Sequence, residues 1–202
     1  MDLLYPFLVA FFLVFISELG DKTQLLVLSF SNKVTPFKIL LGVAIGSFFS
    51  HGIAILFGSS IGFLENEFLH TLLEIVTYVS FILLGIFSLF SGKEKENNEK
   101  ENSLLKKLSC FGFGYVVLIS ISIIVGELGD KTFLASLGLG ISYPNYKISL
   151  ILGAISGMVV SDSIAIMFGK VLNKYISEKA MKILSSILFL IFGIIGIIKF
   201  VF

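Results

Sequence analysis

Ser17–Leu25 reads Ser-Glu-Leu-Gly-Asp-Lys-Thr-Gln-Leu, and Gly126–Leu134 reads Gly-Glu-Leu-Gly-Asp-Lys-Thr-Phe-Leu. Six consecutive residues are identical. A second match follows in the same order: Ser50–Gly58 (SHGIAILFG) against Ser161–Gly169 (SDSIAIMFG), with six of nine positions identical. The offsets are 109 residues for the first match and 111 for the second. The chain is therefore an internal duplication, and each copy sets acidic residues in the middle of an apolar run.

Those runs define the class. A helix crosses the hydrocarbon of a bilayer with about 20 apolar residues. Six stretches qualify: Pro6–Phe30, Phe37–Leu64, Leu69–Phe90, Phe113–Gly140, Ile148–Leu172 and Ala180–Phe202. They are continuously apolar rather than alternating, which argues against a β-barrel. The first run makes a poor signal peptide, since Asp2 and no Lys precede it. Composition agrees: 56% of the 202 residues are hydrophobic and only 14% charged, against roughly a quarter charged in soluble domains. Mean hydropathy is +1.00. A net charge of +1 offers no field for phosphate, so nucleic acid is not an expected partner. One Cys and two His make a Cys/His zinc site improbable. The expected partner surface is the lipid bilayer.

The hydrophilic stretch Gly92–Lys107 (GKEKENNEKENSLLKK) separates a first repeat, residues 1–91, from a second, residues 108–202. All 15 basic residues are Lys. Eleven of them (33, 38, 93, 95, 100, 106, 107, 170, 174, 179 and 182) fall on one side of the expected spans, and only Lys147 and Lys199 on the other. The positive-inside bias puts the linker in the cytoplasm and both termini outside. Three spans per repeat is an odd number, so the two copies run in opposite directions. The fold expectation is an all-α membrane protein of six transmembrane helices, arranged as two inverted three-helix repeats. Such repeats are common in secondary transporters, with the substrate site near the midplane.

Glu18 and Glu127 lie at the centres of the first and fourth stretches. A charge at that depth costs about 2.5–3.5 kcal/mol on insertion scales. Glu18, Asp21 and Lys22 are spaced i, i+3 and i, i+4, as are Glu127, Asp130 and Lys131, so a continuous helix would present each trio on one face. Gly20 and Gly129 weaken that helix and allow close approach. Thr23 and Thr132 add hydroxyl oxygens. An internal Glu–Lys pair alone would leave Asp21 and Asp130 uncompensated. Four carboxylates and two lysines sum to −2, which a divalent cation balances. Oxygen donors of this kind suit hard cations such as Ca²⁺ and Mn²⁺. Carboxyls that release a metal in a desolvated site can take protons instead, which is the logic of an antiporter. His51 and Asp162 are the matched polar residues of spans two and five. Asp162 is expected to matter more, because a midspan carboxylate has few structural uses.

Two copies of E-x-G-D-K-T, one per half, resemble the Gdt1 family of cation/proton exchangers, related in fold to the lysine-exporter superfamily. The family motif, E-φ-G-D-[KR]-[ST], is met in both copies without departure, and the resemblance extends over residues 6–202. It implies exchange of Mn²⁺ or Ca²⁺ for protons, with the metal as transported substrate and no permanently bound cofactor. Carried over by position, it assigns Glu18, Asp21, Glu127 and Asp130 to the metal, supported by Lys22, Thr23, Lys131 and Thr132. His51 and Asp162 rest on the residue reading alone. The short chain points to a compact bacterial exporter of Mn²⁺ in the cytoplasmic membrane. The alternative is an exporter of an amino acid or other small solute, as in the wider superfamily. An intramembrane aspartyl protease is disfavoured, since its G-x-G-D signature lacks the first Gly in Glu18–Asp21 and Glu127–Asp130.

Overall fold

The runs that contain the motifs do not form single helices. In the computed structural model, which describes residues 3–19, 21–31, 34–63, 67–90, 114–175 and 178–201, the first divides into α1 (Leu4–Glu18) and α2 (Lys22–Phe30). The fourth divides into α6 (Tyr115–Glu127) and α7 (Lys131–Ser142). The cause is the motif glycine. Leu128 has φ −60 and ψ 115, and Gly129 follows at φ +82. Those angles make a type II turn, whose third residue requires positive φ and hence favours Gly. The Asp130 N–H closes it on the Glu127 carbonyl at 3.0 Å. Leu19 repeats the geometry (φ −62, ψ 117), and Asp21 N–H donates to Glu18 O at 3.2 Å. The expectation that Glu18, Asp21 and Lys22 share one helical face, and likewise Glu127, Asp130 and Lys131, is therefore wrong. Each Glu ends one helix and each Asp stands before the next.

The remaining elements are α3 (Pro36–Ser47), a π turn over Phe48–Gly52, α4 (Ile53–Gly62), α5 (Glu67–Phe90), a 3₁₀ turn over Pro144–Tyr146, α8 (Lys147–Tyr175) and α9 (Glu178–Val201). No strand occurs among the described residues. Pro36 opens α3 at a position that needs no N–H, after an extended Thr35. Among the described residues, two continuous stretches are long and apolar enough to cross a membrane, Pro36–Gly62 and Pro144–Met167. Leu4–Glu18, Ile75–Ile86, Tyr115–Glu127 and Ser186–Ile198 are shorter apolar helical segments. The expected linker, 92–107, lies outside the described residues.

Polarity is distributed as lipid requires. Phe57 is 62% exposed, Ile148 70% and Met167 74%, whereas Glu18, Glu127, His51 and Asp162 are buried. An apolar surface of this extent is unsuited to water. The interior is the crossing of α1, α3, α6 and α8, filled by Ala10, Leu13, Val14, Ile39, Val43, Ile119, Ile123, Leu150, Ala154 and Met158.

Small residues bring these helices together, as expected where lipid offers no hydrophobic gain from helix contact. The contacts come in matched pairs. A methyl group at Gly42 would lie 2.9 Å from Ile119 Cβ and 3.0 Å from Val116 O; at Gly153 it would meet Ala10 Cβ at 3.1 Å and the Phe7 carbonyl. Gly46 likewise abuts Ser120 O, and Gly157 abuts Phe11 O. Between α5 and α9, Gly85 faces Leu190 and Ser186 O while Gly193 faces Ile82 and Tyr78 O. Every partner in one contact is displaced from its counterpart by 108 to 111 residues, close to the offsets of the sequence matches. The two halves thus touch each other through equivalent surfaces, as the halves of a two-fold dimer do.

Candidate metal centre

Each turn delivers its Glu to the interior and ties it to its own motif. Thr23 Oγ1 donates to Glu18 Oε2 at 3.2 Å, and Thr132 Oγ1 donates to Glu127 Oε2 at 3.0 Å. The hydroxyl reaches back across the turn because Thr is the second residue of the following helix. Both Glu side chains are 1% exposed. The aspartates sit further out. Asp21 and Asp130 are half-buried, and Lys131 Nζ of the second motif lies 3.4 Å from Asp21 Oδ2 of the first. That ion pair joins the two repeats. The Lys22 side chain lies outside the described residues.

Two overlapping ligand sets result among the described residues. Glu18, His51 and Glu127 place one donor atom each within 4.8 Å of one another, and so do Glu18, Asp21 and Asp130. Metal–ligand bonds of about 2.0–2.6 Å put two ligands of one ion no more than about 5 Å apart, so either set can share an ion. Glu18 belongs to both. Glu18 Oε1, Glu127 Oε1 and His51 Nε2 are buried and have no hydrogen-bond partner among the described residues. A buried polar atom left so costs about 1–3 kcal/mol, which a cation would relieve. The C-terminal ends of α1 and α6 add partial negative charge from their carbonyls, as broken helices do in secondary transporters.

His51 enters through the π turn. Ser50 Oγ donates to Gly46 O at 3.1 Å and to Ser47 O at 3.4 Å, competing with the regular helical ladder there. The ring then sits with Nε2 3.9 Å from Glu127 Oε2 and Nδ1 3.1 Å from Ser136 Oγ. Asp162, its sequence counterpart, is equally buried but belongs to neither ligand set among the described residues. Its neighbour Ser161 is instead bonded by Gln24, whose Nε2 donates to Ser161 Oγ at 2.8 Å and to Ser161 O at 3.2 Å. Among the described residues the cluster therefore includes His51 and not Asp162, the residue that the sequence weighs more heavily. Ser136 escaped the sequence reading, and sequence alone gives Gln24 little weight because Phe133 replaces it in the second half. Their signal was departure from the repeat: Ser136 stands where the first half has Val27, and Gln24 where the second has Phe133.

Comparison with known proteins identifies the family. The family model described as divalent cation/proton antiporter GDT1 matches residues 6–96 and 115–201. A GDT1-like protein of Synechocystis sp. is 28% identical over 96% of this chain and 97% of its own length. Protein PAM71 of Arabidopsis thaliana, a chloroplast protein, is 25% identical over 99% of this chain, which spans only 58% of that protein. A Vibrio cholerae protein named as a candidate manganese exporter is 27% identical over 78% of this chain and 72% of its own length. No solved structure matches. With both motif-bearing halves inside the matched residues, the chain belongs to the GDT1 family of divalent cation/proton antiporters.

Proposed function

We propose that this chain exchanges Mn²⁺, and less readily Ca²⁺, for protons through the cluster at the two turns, exporting the metal from the cytoplasm. Membership of an antiporter family makes it a transporter rather than an enzyme. The observation that carries the finer reading is convergence: two motifs 109 residues apart bring a Glu18 and a Glu127 oxygen within 4.8 Å of each other in a buried site. Glu18, Asp21, Glu127 and Asp130 are the cation ligands in this reading. Thr23 and Thr132 orient the glutamates, and Lys131 joins the motifs through Asp21; Lys22 is assigned the equivalent part by its motif position. The formal motif charge of −2 is matched by one divalent cation or by two protons. Occupancy by one excludes the other, which is the condition for obligatory exchange. Mn²⁺ is preferred as cargo because the Vibrio cholerae relative is named for manganese.

The architecture proposed for it is six spans in two inverted repeats, 1–91 and 108–202, joined by a cytoplasmic linker at 92–107. Reciprocal glycine contacts between the halves and the 11-to-2 lysine bias support this. The setting is the cytoplasmic membrane, with both termini outside. Purified protein in liposomes under an imposed pH gradient should take up Mn²⁺ when the lumen is acid. Absence of any divalent flux, at every gradient, refutes the proposal.

A further inference from the structure

The two motifs are alike, but what surrounds them is not. Position 51 carries an imidazole where the second half has Asp162, and position 136 carries a hydroxyl where the first half has Val27. These two departures meet each other. His51 Nδ1 lies 3.1 Å from Ser136 Oγ, both side chains are fully buried, and the opposite ring nitrogen is turned to the carboxylates. When Nδ1–H donates to Ser136 Oγ, Nε2 keeps its lone pair. That atom has no hydrogen-bond partner among the described residues and belongs to a three-residue set whose donor atoms lie within 4.8 Å. A histidine held through one nitrogen by an oxygen and open at the other is how proteins present imidazole to a metal.

We infer that His51 Nε2 is a direct ligand of the transported cation, beside Glu18 and Glu127, and that this nitrogen makes the inner station select Mn²⁺ over Ca²⁺; the inference rests on the cation exchange proposed above. Ca²⁺ is bound by oxygen, six to eight atoms of it. Mn²⁺ belongs to the first-row series that accepts nitrogen as well. The outer set, Glu18, Asp21 and Asp130, is all oxygen and admits both ions. The inner set replaces one oxygen by nitrogen, so Ca²⁺ loses a ligand there that Mn²⁺ keeps. Glu18, common to both sets, is positioned to pass the ion between them. Ser136 is a positioning residue, acting only through the ring.

The test compares wild type, His51→Gln, His51→Asp and Ser136→Ala in liposomes, with initial uptake of radiolabelled Mn²⁺ and Ca²⁺ under one pH gradient. His51→Gln should lower the Mn²⁺/Ca²⁺ rate ratio about tenfold or more, at least the loss typical of removing a ligand's supporting partner. His51→Asp, an all-oxygen set, should turn the preference toward Ca²⁺. Ser136→Ala should weaken Mn²⁺ uptake about tenfold while the ion keeps its nitrogen ligand. Pulsed electron paramagnetic resonance of Mn²⁺-loaded protein reads that ligand directly: wild type and Ser136→Ala should show nitrogen hyperfine coupling, and His51→Gln should not. The wild-type spectrum decides the matter even where a variant fails to fold. An unchanged rate ratio in His51→Gln, or wild-type Mn²⁺ without nitrogen coupling, overturns this inference and leaves cation exchange standing. A wild type that carries neither ion overturns both.

Discussion

Gly129→Ala separates a turn from a helix by the sign of its effect. Gly129 is at φ +82, and a methyl group added there would meet no atom within 4 Å. Its effect is therefore confined to the backbone. An L-residue in the left-handed region is disfavoured by about 1–2 kcal/mol. That lowers the folded-to-unfolded ratio about 5- to 30-fold. In a continuous helix the same substitution would stabilise by about 0.5–1 kcal/mol, because Gly is the poorer helix former. Gly129→Asn should be milder than Gly129→Ala, since Asn enters the left-handed region more easily, and Gly129→Val harsher, since a β-branched residue is an outlier there. The assay is reversible unfolding in mixed micelles with increasing sodium dodecyl sulfate, followed by circular dichroism. Glu127 and Asp130 flank this turn, so Mn²⁺ flux should fall in the order Asn, Ala, Val. A Gly129→Ala protein more stable than wild type would refute the turn and the site geometry built on it.

The remaining predictions concern the site, the packing and the topology. Glu18→Gln and Glu127→Gln should each abolish most Mn²⁺ flux, with the double variant little worse, because groups acting as a unit are non-additive; half activity in each single and none in the double would indicate two separate pathways. Gly46→Leu and Gly157→Leu should be about equally destabilising, by about 1–3 kcal/mol or more, as overpacking is. Their crowding partners, Ser120 O and Phe11 O, are equivalent positions in the two halves, so unfolding midpoints that differ widely would contradict the reciprocal packing. Reporter fusions placed within 92–107 should read as cytoplasmic, and an even mixture of orientations would contradict the lysine argument.

Much of this protein is local and is written along the chain. Twenty-residue apolar runs demand helices because lipid leaves no other way to satisfy the backbone. Duplication is plain in Glu18–Thr23 and Glu127–Thr132, and six charged residues inside apolar runs mark the site by their insertion cost alone. The helix breaks are not local. Gly20 and Gly129 are compatible with a helix or a turn, and a turn at that depth persists only where neighbouring elements hold its freed backbone groups. The choice between His51 and Asp162 is likewise tertiary. Both lie midspan, and periodicity places each on a helix without saying what that helix crosses. The close approach of α3 to α6, set by Gly42 and Gly46, and of α4 to α7, where a methyl group at Gly140 would lie 2.5 Å from Ile55 O, brings His51 to Ser136 and Glu127. Asp162 belongs to neither ligand set among the described residues, and its helix, α8, is bound through Ser161 by Gln24 of α2, a residue that Phe133 replaces in the other half. A repeat specifies what its two copies share; where they differ, only the packing of one against the other decides which difference joins the buried cluster.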